Sequence, residues 1–177
     1  VLISSGSIER PLVFGNNDTP GVMLSSAAKE YLKVYGVLVG KKPLIFTNND
    51  SGYETAIEFK KNGVDPIILD TRKEPKSEII DEAKKLDIQI KFSYVVVAAK
   101  GYKKVKSAEV AKISDDKNEL GTLENINCDC ICVSGFWTPT IHLASQSGNK
   151  TTFNKDIDAF VPGLSKQNET TLGAANG

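Results

Sequence analysis

The fold is decided by residues 43–70, which read PLIFTNNDSGYETAIEFKKNGVDPIILD. The apolar run Pro43–Thr47 predicts a short strand. Ser51–Asn62 predicts an amphipathic helix that ends at Gly63, with Tyr53, Ala56, Ile57 and Phe59 on its buried side. Pro66–Asp70 predicts a second strand, whose uninterrupted apolar residues indicate burial on both faces. This stretch therefore predicts a β-α-β unit with parallel strands.

The same alternation continues beyond Asp70. Lys76–Leu86 predicts a second helix with one apolar stripe, and Ile88–Lys91 predicts a third strand. A β-α-β-α-β unit is half of a doubly wound sheet.

The pattern then changes to one typical of antiparallel strands. Ser93–Ala99 and Val105–Ile113 predict a hairpin, and a polar turn is expected at Ser114–Glu119. Cys128–Val133 predicts a last buried strand. The fold class is therefore α/β, a Rossmann-like parallel sheet with an inserted antiparallel β-meander. By analogy, this is the plan of flavoproteins with two dinucleotide-binding domains.

The flanks are expected to lie outside this α/β unit. Residues 1–40, with a strand at Val1–Ser5 and a helix at Val22–Tyr35, form one flank. Residues 41–140 form the predicted central domain, and residues 141–177 form the other flank. Since the first residue is Val1 within an apolar run, we expect an internal segment of a longer protein.

Composition argues against two classes of partner. The chain has 22 basic and 22 acidic residues, so it shows no electrostatic footprint for nucleic acid or an anionic membrane. No apolar run approaches the roughly 20 residues that span a bilayer. No basic and apolar leader typical of a secretory signal is seen.

The three cysteines, Cys128, Cys130 and Cys132, have a spacing that places them on one face of a strand. We interpret them as small buried hydrophobic residues, with a metal site as the less favoured alternative. Their odd number fits a reducing, cytoplasmic compartment. His142, the single histidine, has no recognisable partner, and we expect neither a catalytic residue nor a metal ligand in this chain.

The junction Thr47-Asn48-Asn49-Asp50-Ser51-Gly52 occupies the place of the G-x-G-x-x-G dinucleotide fingerprint. Only Gly52 matches a fingerprint glycine. Asn48 and Asn49 keep a tight turn accessible because Asn tolerates a positive φ, and Asp50 or Ser51 can cap the helix. From spacing alone, an ordinary capped turn fits as well as a phosphate-binding loop.

Residues at the ends of two other strands complete the predicted site. Asp70 ends the second strand, where a carboxylate accepts hydrogen bonds from a ribose and repels a 2′-phosphate. This favours NAD, although Arg72 could favour a phosphate instead, and Asp70 could simply cap the following loop. Ser134 and Gly135 follow the last strand, near the crevice where open sheets bind ligands.

Several strings together carry a resemblance to one family. They are ERPLVF (9–14), NND (16–18), PGVM (20–23), FTNNDS (46–51), VSG (133–135), WTP (137–139), HL (142–143), SQ (145–146) and GAANG (173–177). Nearly the whole chain resembles the alpha subunit of heterotetrameric sarcosine oxidase. The loop TNNDS is the most specific part, since it departs from the glycine fingerprint as that family does.

This resemblance implies an oxidoreductase that acts on CH–NH donors, demethylates sarcosine to glycine and forms hydrogen peroxide. It implies that residues 41–140 are an NAD-binding domain, that residues 1–40 are the edge of an FAD-type domain, and that residues 141–177 return to that FAD-type domain. It further implies FAD, FMN and tetrahydrofolate in the complete complex. It also implies beta, gamma and delta subunits and the remainder of the alpha subunit as partners. The segment alone is expected to be inactive.

The resemblance also implies roles for single residues. Thr47, Asn48, Asn49, Asp50 and Ser51 would surround the NAD phosphates, while Asp70 would bind the ribose and Gly135 would back the cofactor. Three alternatives stay open. They are an amine, opine or amino-acid dehydrogenase subunit, an NADH-dependent disulfide-type reductase, and a structural domain with a vestigial nucleotide site.

Overall fold

The computed structural model describes residues 1–114, 116 and 119–177, so residues 115, 117 and 118 of the predicted polar turn lie outside the described residues. Contacts divide the chain into a central unit, Pro11–Gly135, and a terminal unit made of Val1–Arg10 and Phe136–Gly177. In chain order, the strands and α-helices are β1 (Leu2–Ile3), β2 (Ser7–Glu9), β3 (Val22–Leu24), α1 (Ser25–Tyr35), β4 (Pro43–Thr47), α2 (Ser51–Lys61), β5 (Ile67–Asp70), α3 (Glu78–Lys85), β6 (Gln89–Phe92), β7 (Tyr94–Lys100), β8 (Ser107–Lys112), β9 (Glu124–Asn127), β10 (Cys130–Ser134), β11 (Trp137–Pro139), α4 (His142–Gln146), β12 (Thr151–Asn154), β13 (Ala159–Pro162) and β14 (Thr170–Thr171).

A five-stranded parallel sheet forms the centre of the central unit, in the order β3-β10-β4-β5-β6. Strands β4 and β10 are buried along their whole length. This confirms the parallel strands predicted from the uninterrupted apolar runs, because such strands are covered on both faces.

The helix predicted at Val22–Tyr35 begins three residues later than expected. Val22–Leu24 is instead strand β3, which pairs in parallel with Ile131–Val133 of β10. The prediction was wrong there because Val22, Met23 and Leu24 are apolar and merge with the helical stripe that follows. Backbone hydrogen bonds to β10, and not side-chain pattern, select the strand.

Residues 11–40 therefore belong to the central unit, and the expected boundary at residue 40 does not match the observed division. Helix α1 packs beside α2, and Lys29 Nζ lies 2.5 Å from Glu54 Oε2 between them. A second ion pair joins Lys33 to Glu58 at 3.4 Å.

The inserted meander contains three antiparallel strands, β7-β8-β9. The first two were predicted. Strand β9, Glu124–Asn127, was not, because Ile126 is its one apolar residue and it lacks the alternation that marks a half-buried strand.

Two hydrophobic clusters make up the core of the central unit. One contains helix residues such as Tyr53 and Phe59, and the other contains meander residues such as Val110.

The three cysteines are buried and free, but they do not share one face. Cys130 and Cys132 pack into the cluster that contains the helix residues, whereas Cys128 precedes β10 and packs into the other cluster. Burial raises the pKa of Cys128 to about 12. A hydrogen bond from the Cys132 thiol to Cys130, together with burial, raises the pKa of Cys132. No group of three or more metal-binding side chains occurs among the described residues.

The terminal unit consists of short paired strands. Strand β1 pairs in parallel with β14, β2 pairs with β11, and β12 forms a hairpin with β13. His142 begins helix α4, where its side chain is exposed. In the part of the chain that the structure describes, no helix is long and apolar enough to cross a membrane.

Candidate functional site

The carboxyl ends of three neighbouring strands bring the predicted site residues together. In the register of the sheet, Thr47 at the end of β4 lies opposite Asp70 of β5 and opposite Ser134 of β10. Helix α2 begins at Ser51, directly above the end of β4. In open α/β sheets, ligands bind at this edge.

Thr47 and Gly52 form a tight contact between the end of the strand and the start of the helix. The Thr47 hydroxyl is buried; it donates to the Asn49 carbonyl at 2.8 Å and accepts the Asn49 N–H at 3.1 Å. A Cβ added to Gly52 would lie 2.7 Å from both Cβ and Oγ1 of Thr47. Gly52 therefore fills the role of the third fingerprint glycine, which permits close packing of helix on strand.

Neither Asn48 nor Asn49 uses the left-handed conformation that asparagine tolerates. The non-glycine residues of positive φ among the described residues are Asn16, Asp87, Ser93 and Asp158. Side-chain hydrogen bonds from Thr47 and Asn49, instead of a positive φ, hold the loop.

The side-chain oxygen of Asn49 is the point on which three donors converge. The Ser51 N–H lies 2.9 Å from Asn49 Oδ1, the Ser51 hydroxyl lies 2.5 Å away, and the Ser134 hydroxyl lies 3.3 Å away. The two serine hydroxyls are 2.8 Å apart. Asp50 is the N-cap residue of α2, but its side chain makes no capping hydrogen bond. Asn49 Oδ1 instead accepts the N–H of Ser51, the first helical residue.

The amide nitrogen of Asn49 ties the loop to the end of β10. Asn49 Nδ2 donates to the carbonyls of Gly135 and Ser134, the latter at 3.4 Å, and to Asn48 Oδ1 at 3.1 Å. The Asn48 N–H donates to the Ser134 carbonyl at 3.3 Å. The Asn49 side chain therefore bridges β4 and β10 across the crevice where the loop was expected to bind a phosphate.

Asp70 lies at the predicted strand end, but its exposure differs from the expectation. Its side chain is fully buried. Asp70 Oδ2 accepts the Tyr53 hydroxyl at 2.7 Å, and Oδ1 accepts the backbone N–H of Arg72 at 2.9 Å. A ribose cannot reach a carboxylate that is covered in this way, so its burial does not fit direct ribose binding.

Arg72 covers Asp70 and faces solvent in its place. Its Nε lies 3.1 and 3.2 Å from the two Asp70 oxygens, and its Nη2 lies 2.9 Å from Asp70 Oδ2. The same Nη2 lies 2.8 Å from Asp50 Oδ1. The side chains of Arg72 and Asp50 are 31% and 43% exposed, so this pair is the accessible part of the network.

The pKa shifts of Arg72 and Tyr53 agree with these hydrogen bonds. Burial lowers the pKa of Arg72, but hydrogen bonds from Arg72 to Asp70 and Asp50 outweigh it and raise the pKa above its ordinary value. Burial and the hydrogen bond to Asp70 raise the pKa of Tyr53 far above its usual range. Arg72 stays charged and Tyr53 stays a donor across the accessible pH range.

Tyr53 is the member of the site that sequence reasoning missed. We predicted it as an apolar residue on the buried side of a helix, and it is fully buried. A usable signal was present, because a buried tyrosine hydroxyl needs a partner and the nearest buried strand ends in a carboxylate.

Comparison with known proteins gives the same family as the sequence strings. The chain is 38% identical over 182 residues to sarcosine oxidase subunit alpha of Rhizobium meliloti (strain 1021), covering 98% of this chain and 17% of that protein. It is 33% identical over 179 residues to the subunit of Corynebacterium sp. (strain P-1), covering 100% of this chain and 18% of that protein. No protein-family model matches the chain.

These matches confirm the resemblance to sarcosine oxidase alpha subunits along the whole chain. The chain itself spans less than a fifth of the length of these relatives, 17% and 18%.

Solved structures confirm the fold. Thioredoxin reductase of T. acidophilum has a TM-score of 0.77 at 16% identity, covering 100% of this chain and 57% of that chain. L-proline dehydrogenase of P. horikoshii has a TM-score of 0.63 at 21% identity, covering 99% of this chain and 29% of that chain. At these identities, the likeness concerns the Rossmann-like flavoprotein fold alone.

Proposed function

We propose, from this whole-length similarity to sarcosine oxidase alpha subunits, that the chain is the NAD-binding part of such a subunit. The observation that carries the proposal is 38% identity over 98% of the chain. The convergence of donors on Asn49 Oδ1 supports it, since that geometry suits an anionic oxygen.

The donor set fits a diphosphate. One backbone N–H and two hydroxyls, from Ser51 and Ser134, point at a single acceptor at the N-terminus of α2. The helix dipole adds a favourable field for a negative charge there. A phosphate oxygen would take the position of Asn49 Oδ1, and the Asn49 side chain would turn away from the crevice.

The other predicted residues have supporting roles in this proposal. Thr47 and Asn48 hold the loop beneath the diphosphate, and Gly135 lines the crevice at the end of β10. Asp70 acts through Arg72, which it positions. A nicotinamide dinucleotide, when bound, accepts or donates hydride. The residues of this chain bind and orient it and carry no bond-breaking step.

We extend the proposal to the complete protein because its relatives are sarcosine oxidase alpha subunits. We propose an oxidoreductase that oxidises the CH–NH bond of sarcosine and passes the two electrons through flavins to oxygen, which is reduced to hydrogen peroxide. Glycine is released, and the methyl carbon is delivered to tetrahydrofolate as a one-carbon unit. FAD and FMN, together with beta, gamma and delta subunits and the rest of the alpha subunit, would complete a heterotetramer. The three free cysteines support a reducing, cytoplasmic compartment.

Calorimetric titration of the chain with NAD tests the proposal. We expect saturable binding that weakens about tenfold in Ser51→Ala or Ser134→Ala, because each loses a donor to a charged oxygen. The matched control is Ser5→Ala, which loses a hydroxyl that donates to the Thr140 carbonyl within the terminal unit. Equal affinity in all four proteins would count against this site.

A structural domain with a vestigial site is the second candidate. It is favoured by the Asn49 side chain, which already satisfies the donors that a phosphate would need. Denaturing the purified native protein and assaying the supernatant for NAD separates the two. Stoichiometric NAD supports a cofactor site, and its absence together with no binding by calorimetry supports the structural role.

An assay of the substrate class requires the complete complex. Peroxide formation that depends on sarcosine supports the oxidase. Oxidation of an opine or another amino acid, without activity on sarcosine, would assign the protein to a related dehydrogenase.

A further inference from the structure

The ion pair between Asp50 and Arg72 occupies the place where the adenosine ribose of a dinucleotide is recognised. In this fold, a carboxylate at the end of the second parallel strand normally reads the ribose. Here that carboxylate, Asp70, is fully buried beneath Arg72. The groups left accessible to a ligand belong to Arg72 and Asp50, which are 31% and 43% exposed.

Arg72 is held rigidly. Its Nε and Nη2 both face Asp70, and Asp70 is itself fixed by the buried hydroxyl of Tyr53 at 2.7 Å. No described residue accepts a hydrogen bond from Nη1. A guanidinium fixed on two of its nitrogens presents its third as an oriented donor.

Asp50 offers the complementary acceptor. Its Oδ1 lies 2.8 Å from Arg72 Nη2, and no described residue donates a hydrogen bond to its Oδ2. A free carboxylate oxygen beside a free guanidinium nitrogen matches a vicinal diol, which can both donate and accept.

The charge at this site disfavours a phosphate. Two carboxylates, Asp50 and Asp70, surround one guanidinium, so the three groups sum to a net charge of −1. A 2′-phosphate would add roughly two negative charges beside the exposed Asp50 carboxylate. The guanidinium cannot compensate, because both carboxylates already neutralise it.

We infer that Asp50, not Asp70, is the residue that selects an unphosphorylated ribose, with Arg72 as a donor that Asp70 and Tyr53 position. The inference rests on the proposed NAD function. It assigns the selectivity to a loop residue at the start of α2 and gives Asp70 a purely positioning role.

Titrations of the full chain with NAD and with NADP test the inference. The unchanged chain is expected to bind NAD at least tenfold more tightly than NADP. In Asp50→Asn, this preference is expected to fall about tenfold, mainly through tighter NADP binding. Asp50 is partly exposed, so this variant should keep its fold.

Asp65→Asn is the matched control. It also removes a carboxylate that pairs with a cation, Lys60 at 2.6 Å, but its side chain is 86% exposed and lies after α2. Its NAD to NADP ratio should equal that of the unchanged chain.

The results of these titrations distinguish failure of the proposed NAD function from failure of the inference about Asp50. If the unchanged chain binds neither nucleotide, the proposed function fails and this inference fails with it. If it binds NAD and Asp50→Asn keeps the original ratio, the inference alone is overturned.

Discussion

Replacing Tyr53 with phenylalanine isolates the hydrogen bond on which the buried network depends. The two side chains have nearly the same shape, so the ring still fills its place in the core. What is lost is the hydroxyl that donates to Asp70 Oδ2 at 2.7 Å, between two fully buried residues. The carboxylate is left with fewer donors in a site that water does not reach.

The expected loss of stability is about 2 kcal/mol, since a buried hydrogen bond to a charged group contributes roughly 1.5–3 kcal/mol. For a chain of this size, that corresponds to a fall in melting temperature of about 4–8 °C. The matched control is Tyr94→Phe. The Tyr94 hydroxyl donates to Glu124 Oε1 at 2.9 Å, but that carboxylate is 43% exposed, and we expect a change within about 0.5 kcal/mol.

The assay must report on the central unit. The single tryptophan, Trp137, lies in the terminal unit, so its fluorescence is unsuitable. Amide hydrogen exchange of β4 and β5, measured alongside thermal unfolding by circular dichroism, follows the correct part of the chain. Equal stability losses in the two variants, or no loss in Tyr53→Phe, would refute the structural importance of the Tyr53–Asp70 bond.

Three further predictions concern other parts of the molecule. Gly52→Ala should destabilise the chain by about 1–3 kcal/mol in thermal unfolding, because the new Cβ would lie 2.7 Å from Thr47. The control is Gly63→Ala. A Cβ at Gly63 meets no atom within 4 Å, but the residue has a φ of +77°, so this variant measures backbone strain alone. Hydrogen bonds from Lys91 and Tyr94 lower the pKa of Glu124 below its ordinary value. Its contribution to stability is therefore present above the ordinary pKa of a glutamate and is lost as the pH falls through the lowered pKa of the folded chain. Glu124→Gln should therefore lower stability at pH 7 and converge with the unchanged chain in acid; parallel stability curves would contradict this. The buried thiols of Cys128 and Cys132, whose pKa values are raised, should resist iodoacetamide at pH 8 in the folded chain and react after unfolding, as mass spectrometry can show; rapid labelling of the folded chain would contradict their burial.

The elements that sequence predicted well are those with a strong local signal. Strand β4 and the strand ending at Asp70 are continuous apolar runs, and α2 has a clear stripe that ends near Gly63. The elements that were predicted wrongly lack such a local signal. Val22–Leu24 pairs with a strand that lies more than a hundred residues further along the chain, as the register of Met23 with Cys132 shows. Local periodicity carries no record of such a partner.

The candidate site was predictable by position but not by contact. Parallel topology alone places Thr47, Asp70 and Ser134 at one edge of the sheet, and the structure has them in register. The bond from Tyr53 to Asp70 depends on how α2 packs on β5, which no spacing rule specifies. The ion pairs of Arg72 with Asp70 and Asp50 were not predicted either. They leave Asp70 buried and Arg72 partly exposed, although the sequence identified all three residues as members of the site.

A nuclear magnetic resonance titration of the labelled chain with NAD shows whether the crevice beside Ser51 binds a diphosphate. The donors that now converge on Asn49 Oδ1 would turn to a phosphate oxygen. We predict saturable shifts of the Ser51 backbone amide and of the Asn49 side-chain amide, with the Asn125 side-chain amide of the meander unchanged. Unchanged Ser51 and Asn49 resonances at millimolar NAD would contradict the claim that this crevice binds a diphosphate.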